Sequence, residues 1–172
     1  MKTFSDVLAS PIGPLQITVD AAGRLCRIDL RPGPTGTDGS EDAPTRCAEA
    51  GRQLDEYFRG ARREFELELA LAGTPFQLRV WAELSRIPYG TTISYKGLAA
   101  RIGKPAATRA VGAANGANPI PIVVPCHRVI SAGGGLGGYG GGLAMKRALL
   151  AIEGAKVVPG RQALLTDVEA DG

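Results

Sequence analysis

The chain has 172 residues, 44% hydrophobic and 22% charged, with 20 basic and 17 acidic side chains and a formal net charge of +3. That apolar content suits one large domain or two small ones; no run of about 18 apolar residues reads as a membrane span, and the N-terminus lacks a secretory stretch, which favours the cytoplasm. Three cysteines (Cys26, Cys47, Cys126) and a single histidine fit neither a disulfide framework nor a zinc site, so reduced thiols and no metal are expected.

Charge is unevenly spread. Residues 1–73 carry 9 basic and 12 acidic side chains, residues 74–161 carry 11 basic and only 2 acidic (Glu83, Glu153), and residues 162–172 add 3 acids. A basic second half beside an acidic first half fits a polyanionic partner or a merely soluble basic surface, and charge alone does not choose.

In chain order, Leu15, Ile17 and Val19 alternate with polar or small neighbours, as do Cys26, Ile28 and Leu30, so two strands are predicted with Gly23 in the hairpin between them. Residues 33–40 form a polar Gly/Pro/Thr loop, and helical spacing over 43–58 ends at Gly60. Phe65, Leu67, Leu69 and Leu71 alternate with Glu66, Glu68 and Ala70, which predicts a third strand. The expected fold is therefore α+β: a small three-stranded antiparallel sheet with a helix, then a mainly helical part. No chemistry is visible in the first part.

A break is expected near 72–73, giving a structural domain over 1–73, a functional one over 74–161 and a flexible acidic tail over 162–172. Thr74, Pro75 and Gln77 predict an N-cap, a first-turn proline and a capping box. Phe76, Val80, Leu84 and Ile87 share one face of that helix, with Trp81 beside them as core. Two short helices follow, one from Ser94 as cap to Gly103, the second over 105–114, and a pair joined by a tight turn reads as a helix-turn-helix. The second helix carries an Ala/Gly face from which only Arg109 projects far, whereas a major-groove reading helix would offer several long polar side chains. It suits a backbone or a narrow groove, or two helices packed through small residues. Residues 118–125, with three prolines, predict a stiff, extended, buried lead into Cys126. A glycine-rich loop over 133–142 suits close approach of a flat ligand, and a last helix runs over 143–152 to Glu153 and Gly154.

A cysteine is a strong nucleophile only as thiolate, and its ordinary pKa near 8.5 leaves little of it at neutral pH. His127 adjoins Cys126, Arg128 adds positive charge, and Glu153, one of two acids in the basic half, is a candidate to orient the imidazole. A Cys-His dipeptide by itself also fits a buried structural cysteine.

The string Pro125-Cys126-His127-Arg128-Val129-Ile130 resembles the active-site signature of the O6-alkylguanine-DNA alkyltransferases. The match extends in order over residues 74–154. Ser94-Tyr95 with Leu98-Ala99 resembles the family's first helix-turn-helix helix, and Ala107-Thr108-Arg109-Ala110-Val111-Gly112 its recognition helix. Asn118-Pro119 resembles its "Asn hinge", Gly138-Tyr139-Gly140-Gly141-Gly142-Leu143 its binding-site loop, and Ile152-Glu153-Gly154 the close of its last helix. The first half matches loosely, through residues 10–15.

The resemblance implies direct-reversal DNA repair, in which the alkyl group on O6 of guanine passes once and irreversibly to Cys126, without a cofactor. O4 of thymine is a further implied target. The nucleotide must be flipped out of the stack, which costs a few kcal/mol. It implies catalytic roles for Cys126, His127, Glu153 and Tyr95, with His127 taking the thiol proton through a water and Tyr95 protonating the leaving base at N3. It implies minor-groove contact with duplex DNA through Tyr95, Ala107, Thr108, Arg109, Ala110, Gly112 and Arg128, Arg109 filling the place of the flipped base. Val129, Tyr139 and Gly140 would line the base, Asn118 would hold the turn before Cys126, and the protein would act as a monomer. Gly140 stands where many relatives have Ser, and the first half lacks the residues of the zinc site some relatives carry. A DNA-binding regulator with a structural Cys126 and a cysteine hydrolase are the rival readings.

Overall fold

The computed structural model describes residues 1–34, 37, 39–155, 157–158 and 163–164. The loop residues 35, 36 and 38 and, apart from the backbone of Ala163 and Leu164, the predicted tail over 162–172 lie outside the described residues. The chain divides into two compact units, residues 1–71 with 119–121, and residues 72–118 with 122–172.

The first unit is an antiparallel sheet in the order β1 (Thr3–Leu8), β2 (Leu15–Asp20), β3 (Leu25–Asp29), covered by α1 (Ala43–Phe58). Phe4, Ile17, Val19, Leu25 and Ile28 turn inward and meet Ala50, Leu54 and Tyr57, all at most 4% exposed. Burying one such Leu, Ile or Phe side chain stabilises by about 1.5–3 kcal/mol. Between β2 and β3 the chain turns on Asp20, whose carboxylate accepts from the backbone N–H of Ala22 and Arg24, and on Gly23 at φ 84°. The pairing runs Thr18↔Arg27 and then Val19↔Leu25, which leaves Cys26 as the extra residue of a bulge. The bulge puts Leu25, rather than Cys26, on the buried face with Ile28.

The third strand is not where alternation places it. It is β1, while residues 65–71 make one isolated bridge, Leu25↔Leu69. The buried Gln53 of α1 explains this: its amide accepts from the Glu66 N–H at 2.9 Å and donates to the Glu66 carbonyl at 3.1 Å. A side chain thus takes backbone groups that a strand ladder would use.

The second unit opens with α2 (Pro75–Leu84), on which both halves of the Thr74/Gln77 capping box form. Trp81 is buried and donates from its indole N–H to the Ala114 carbonyl. Then come β4 (Ile93–Ser94), α3 (Tyr95–Arg101), capped by the Ser94 hydroxyl on the Gly97 N–H, and α4 (Thr108–Gly116). Helix α2 packs against both α3 and α4. Pro105 does not start α4, as the sequence predicts; it lies in a turn closed by the Ala107 N–H on the Lys104 carbonyl, where its fixed φ suits the turn's second position.

Residues 118–125 are largely buried but not extended. Ile122 and Val123 form a turn with Ile122 at φ 75°, an uncommon conformation for a β-branched residue. The Asn118 side chain closes it by donating to the Val124 carbonyl at 2.8 Å. Cys126, His127 and Arg128 then form a single 3-10 turn, followed by β5 (Val129–Ile130), and α5 (Leu143–Ile152) ends at Glu153 with Gly154 at φ 76°. Strands β6 (Val157–Val158) and β7 (Ala163–Leu164) pair antiparallel.

Candidate active site

Two residues of parallel pairing assemble the site. Ile93 opposes Val129 and Ser94 opposes Ile130. Tyr95 begins where β4 ends and the Cys126 turn ends where β5 begins, so the pairing brings the first turn of α3 to the cysteine.

Cys126 is 6% exposed. Burial pushes its thiol above the ordinary range, against the lowering action of the Asn118 side chain and the Lys146 ammonium. The resting group is a protonated thiol, and a base must take its proton.

His127 is fully buried, and its Nε2 is 2.7 Å from Glu153 Oε1. Burial holds the imidazole below its ordinary pKa, the Glu153 carboxylate opposing and Arg128 and Lys146 reinforcing, so the ring is neutral at neutral pH. With Nε2 donating to the carboxylate, Nδ1 is the basic nitrogen, and it has no hydrogen-bond partner among the described residues. Glu153 accepts from His127 and Arg128 Nη2 on Oε1, and from Arg128 Nε and the Gly90 N–H on Oε2. Burial pushes its carboxyl up, but the His127 and Arg128 bonds and charges outweigh that and hold it well below the usual carboxylate range.

Arg128 does not fit the predicted DNA contact. Its side chain is buried, its guanidinium forks onto Glu153 at 2.8 and 2.9 Å, and Nη1 donates to the Ile87 carbonyl at 2.6 Å. Its donors orient the acid from inside.

Tyr95 lies half-buried between α4 and the glycine-rich loop. A Cβ added at Gly112 would meet its ring at 3.8 Å, and one at Gly137 would stand 2.9 Å from Cε2 and 3.0 Å from the hydroxyl oxygen. On α4, Arg109, Ala110, Ala113 and Gly116 are exposed and Ala107, Thr108 and Gly112 half-buried, so the outer face is small apart from Arg109. The Tyr139 hydroxyl is buried without a hydrogen-bond partner among the described residues, and burial, then the charges of Cys126 and Glu153, raise its pKa. Gly140 is exposed, and Val129 is buried with its carbonyl accepting from Lys146 Nζ at 2.6 Å. Among the described residues no group of three or more His, Cys, Asp or Glu is disposed to hold a metal ion, and no helix is long and apolar enough to cross a membrane.

Two site residues escape the sequence reading. Lys146 is fully buried and also donates to the Leu136 and Gly138 carbonyls, pinning the glycine-rich loop; burial lowers its pKa to about 8. Its signal is position, because it falls between Leu143 and Leu150 on the apolar stripe of α5. Asn115 is 5% exposed and its Nδ2 lies 3.4 Å from the Cys126 carbonyl; it follows Val111 by one helical turn on the buried face of α4.

Residues 75–155 match the family model for the DNA-binding domain of 6-O-methylguanine DNA methyltransferase, and residues 4–71 match the model for its ribonuclease-like domain. The chain belongs to the 6-O-methylguanine DNA methyltransferase family. Among its relatives, a methylated-DNA–protein-cysteine methyltransferase of Mycolicibacterium paratuberculosis is 52% identical over 150 residues, covering 84% of this chain and 88% of that protein. The one named constitutive from Bacillus subtilis is 54% identical over 107 residues, covering 62% and 65%. A crystal structure of the Mycobacterium tuberculosis O6-methylguanine methyltransferase, 46% identical, superposes with a TM-score of 0.79 over 88% of this chain and 93% of that one. The M. tuberculosis OGT structure in complex with DNA, also 46% identical, gives 0.73 over 86% and 90%. The fold expected from the residue pattern, a three-stranded antiparallel sheet with a helix followed by a mainly helical part, is thus the fold of this chain and of the alkyltransferase structures it resembles.

Proposed function

We propose that this protein repairs alkylated DNA by moving the alkyl group from O6 of guanine to the sulfur of Cys126. The observation that carries the reading is the buried thiol beside a neutral His127 whose Nε2 is fixed on Glu153 at 2.7 Å. As Sγ attacks the alkyl carbon, the C–O6 bond breaks and the S–C bond forms. The thiol proton passes through a water to His127 Nδ1, the residue's one uncommitted nitrogen. Tyr95 protonates the departing base at N3, since guanine leaves poorly as an anion, and the proton held by His127 passes through solvent to the Tyr95 oxygen, restoring its hydroxyl and the neutral imidazole. The net products are intact guanine and an S-alkyl cysteine. Thioethers do not hydrolyse under these conditions, so each molecule acts once and needs no cofactor.

DNA is the partner. Its duplex is met from the minor groove by the small outer face of α4, with Ala107, Thr108, Ala110 and Gly112 against the backbone and Arg109 taking the space of the flipped nucleotide. Val129, Tyr139 and Gly140 line the flipped base, and Asn118 holds the turn that aims Cys126. The protein works as a monomer in the cytoplasm, on the nucleoid if the cell is bacterial, and O4-alkylthymine is a secondary substrate of the same pocket.

The test is the intact mass of the protein after incubation with a duplex containing one O6-methylguanine. The expected result is a gain of one methyl group per chain, absent in Cys126→Ser. An unchanged mass with tight DNA binding would instead support a non-catalytic regulator, and sustained turnover of an acyl substrate would support a hydrolase.

A further inference from the structure

The proposed proton donor, Tyr95, is a phenol in a half-buried place, and burial works against it. Desolvation and then the nearby Cys126 charge both oppose a tyrosinate there, while hydrogen bonding from the Asn115 side chain favours one. The backbone around it fixes the geometry. Gly112 and Asn115 lie one turn apart on the same face of α4. The ring passes over Gly112, and the hydroxyl end lies over Gly137. Asn115 stands where α4 faces both this phenol and the Cys126 turn, with its Nδ2 3.4 Å from the Cys126 carbonyl. Its Oδ1 is buried without a hydrogen-bond partner among the described residues, so the amide is held through its nitrogen.

We propose that Asn115 is the positioning residue for proton delivery: its amide donates one N–H to the Cys126 carbonyl and the other to the Tyr95 oxygen, leaving the Tyr95 hydroxyl hydrogen to point at the departing base. The inference rests on the alkyl-transfer reading and on Tyr95 as donor. A primary amide has two donor hydrogens, which matches two acceptors on different segments. With the phenol oxygen accepting from Asn115, its own hydrogen is free of that bond. When the proton moves to guanine N3, the O–H bond breaks, the N–H bond forms, and the tyrosinate left behind keeps a donor.

The experiment compares single-turnover transfer to the full chain from two free bases. One is O6-benzylguanine, which needs protonation to leave; the other is its 8-bromo analogue, whose anion leaves more readily. Asn115→Leu is expected to slow the first reaction roughly tenfold, the scale of a weakened general acid, and the second by no more than about twofold. Alkylation of Cys126 by iodoacetamide, which involves no base to protonate, should change by no more than about twofold in the same variant. The tenfold loss should vanish in a Tyr95→Phe background, because the two residues act on one step. Asn115→Asp, which replaces a donor by an acceptor, should lose at least as much as Asn115→Leu.

Equal losses on both bases, or a loss that persists in Tyr95→Phe, would overturn the role. If both variants fail to fold, the wild-type protein labelled with 15N-asparagine supplies the second measurement. The Asn115 side-chain amide resonances should shift in Tyr95→Phe, and unmoved resonances would overturn the contact. Failure of the wild type to take a benzyl group from either base would instead remove the alkyl-transfer reading, and a Tyr95→Phe variant as fast as wild type would remove Tyr95 as donor.

Discussion

Glu153 is the residue on which the site's order depends. Four donors from three residues on two segments converge on one buried carboxylate: His127, the two nitrogens of Arg128, and the Gly90 N–H. Gly90 sits so close that a Cβ there would meet the Glu153 carbonyl oxygen at 2.8 Å. Removing one member of a buried ion pair costs about 3–5 kcal/mol, because the partner charge stays in the interior uncompensated. Glu153→Ala should therefore destabilise the protein by roughly that amount in urea unfolding. It should also slow iodoacetamide alkylation of Cys126 and raise the apparent pKa of that reaction, since the imidazole loses its orienting acceptor. An alkylation profile identical to wild type would remove Glu153 from the set. Glu153→Gln, which keeps one acceptor oxygen, should fall between the two. This residue, like Cys126 and His127, can be picked out from the sequence because acids are scarce in the basic half. Arg128, assigned to DNA contact with the family resemblance, misleads, because only the fold shows the guanidinium turned onto Glu153. Lys146 and Asn115 are hidden because their partners are backbone carbonyls, which leave no mark in side-chain composition.

At the scale of elements, α4 is the part that the rest of the second unit serves. Its outward face carries Arg109, Ala110, Ala113 and Gly116, and its inward face Val111, Ala114 and Asn115. If Arg109 stands in for the flipped nucleotide, its loss should matter only when there is a stack to open. Arg109→Ala is expected to slow methyl transfer from duplex DNA by about tenfold or more, given a flipping cost of a few kcal/mol. Reaction with free O6-benzylguanine should stay within about twofold of wild type. Equal losses on both would contradict the role. The helices of this unit are legible where local chemistry decides them: the Thr74/Gln77 box starts α2 and the Ser94 hydroxyl starts α3. The beginning of α4 is not, because Pro105 suits both a first helical turn and a tight turn. In the first unit, alternation over 65–71 was satisfied by a segment whose backbone bonds to Gln53, and the true third strand, β1, has only Phe4 and Ser5 buried to announce it. The partner available to the backbone decides these cases rather than alternation: the neighbouring β2 for residues 3–8, and the Gln53 side chain for Glu66.

For the whole molecule, one titration ties stability to reactivity. His127 is the only histidine in the chain, and burial holds it below its ordinary pKa against the attraction of Glu153. An unfolded histidine titrates near 6.5. Below that pH the unfolded chain takes up a proton that the folded chain resists, so the unfolded state binds more protons and stability falls as pH falls. The contribution is fully present above about pH 6.5 and is lost as pH drops towards the lowered folded value. Glu153, also held low in the folded state, prolongs the same trend below about pH 4.3, where an unfolded glutamate begins to protonate. Urea unfolding at fixed ionic strength should therefore show stability declining from about pH 6.5 downward, earlier than carboxylates alone would cause. In His127→Gln, whose amide can still donate to Glu153, the decline that begins at about pH 6.5 should disappear while the steeper acid limb remains. Parallel curves for the two proteins would show that His127 keeps its ordinary affinity for protons in the fold. The same neutral imidazole is the form that can accept the Cys126 proton, so alkyl transfer should persist through that window and weaken only as pH falls through the lowered folded value.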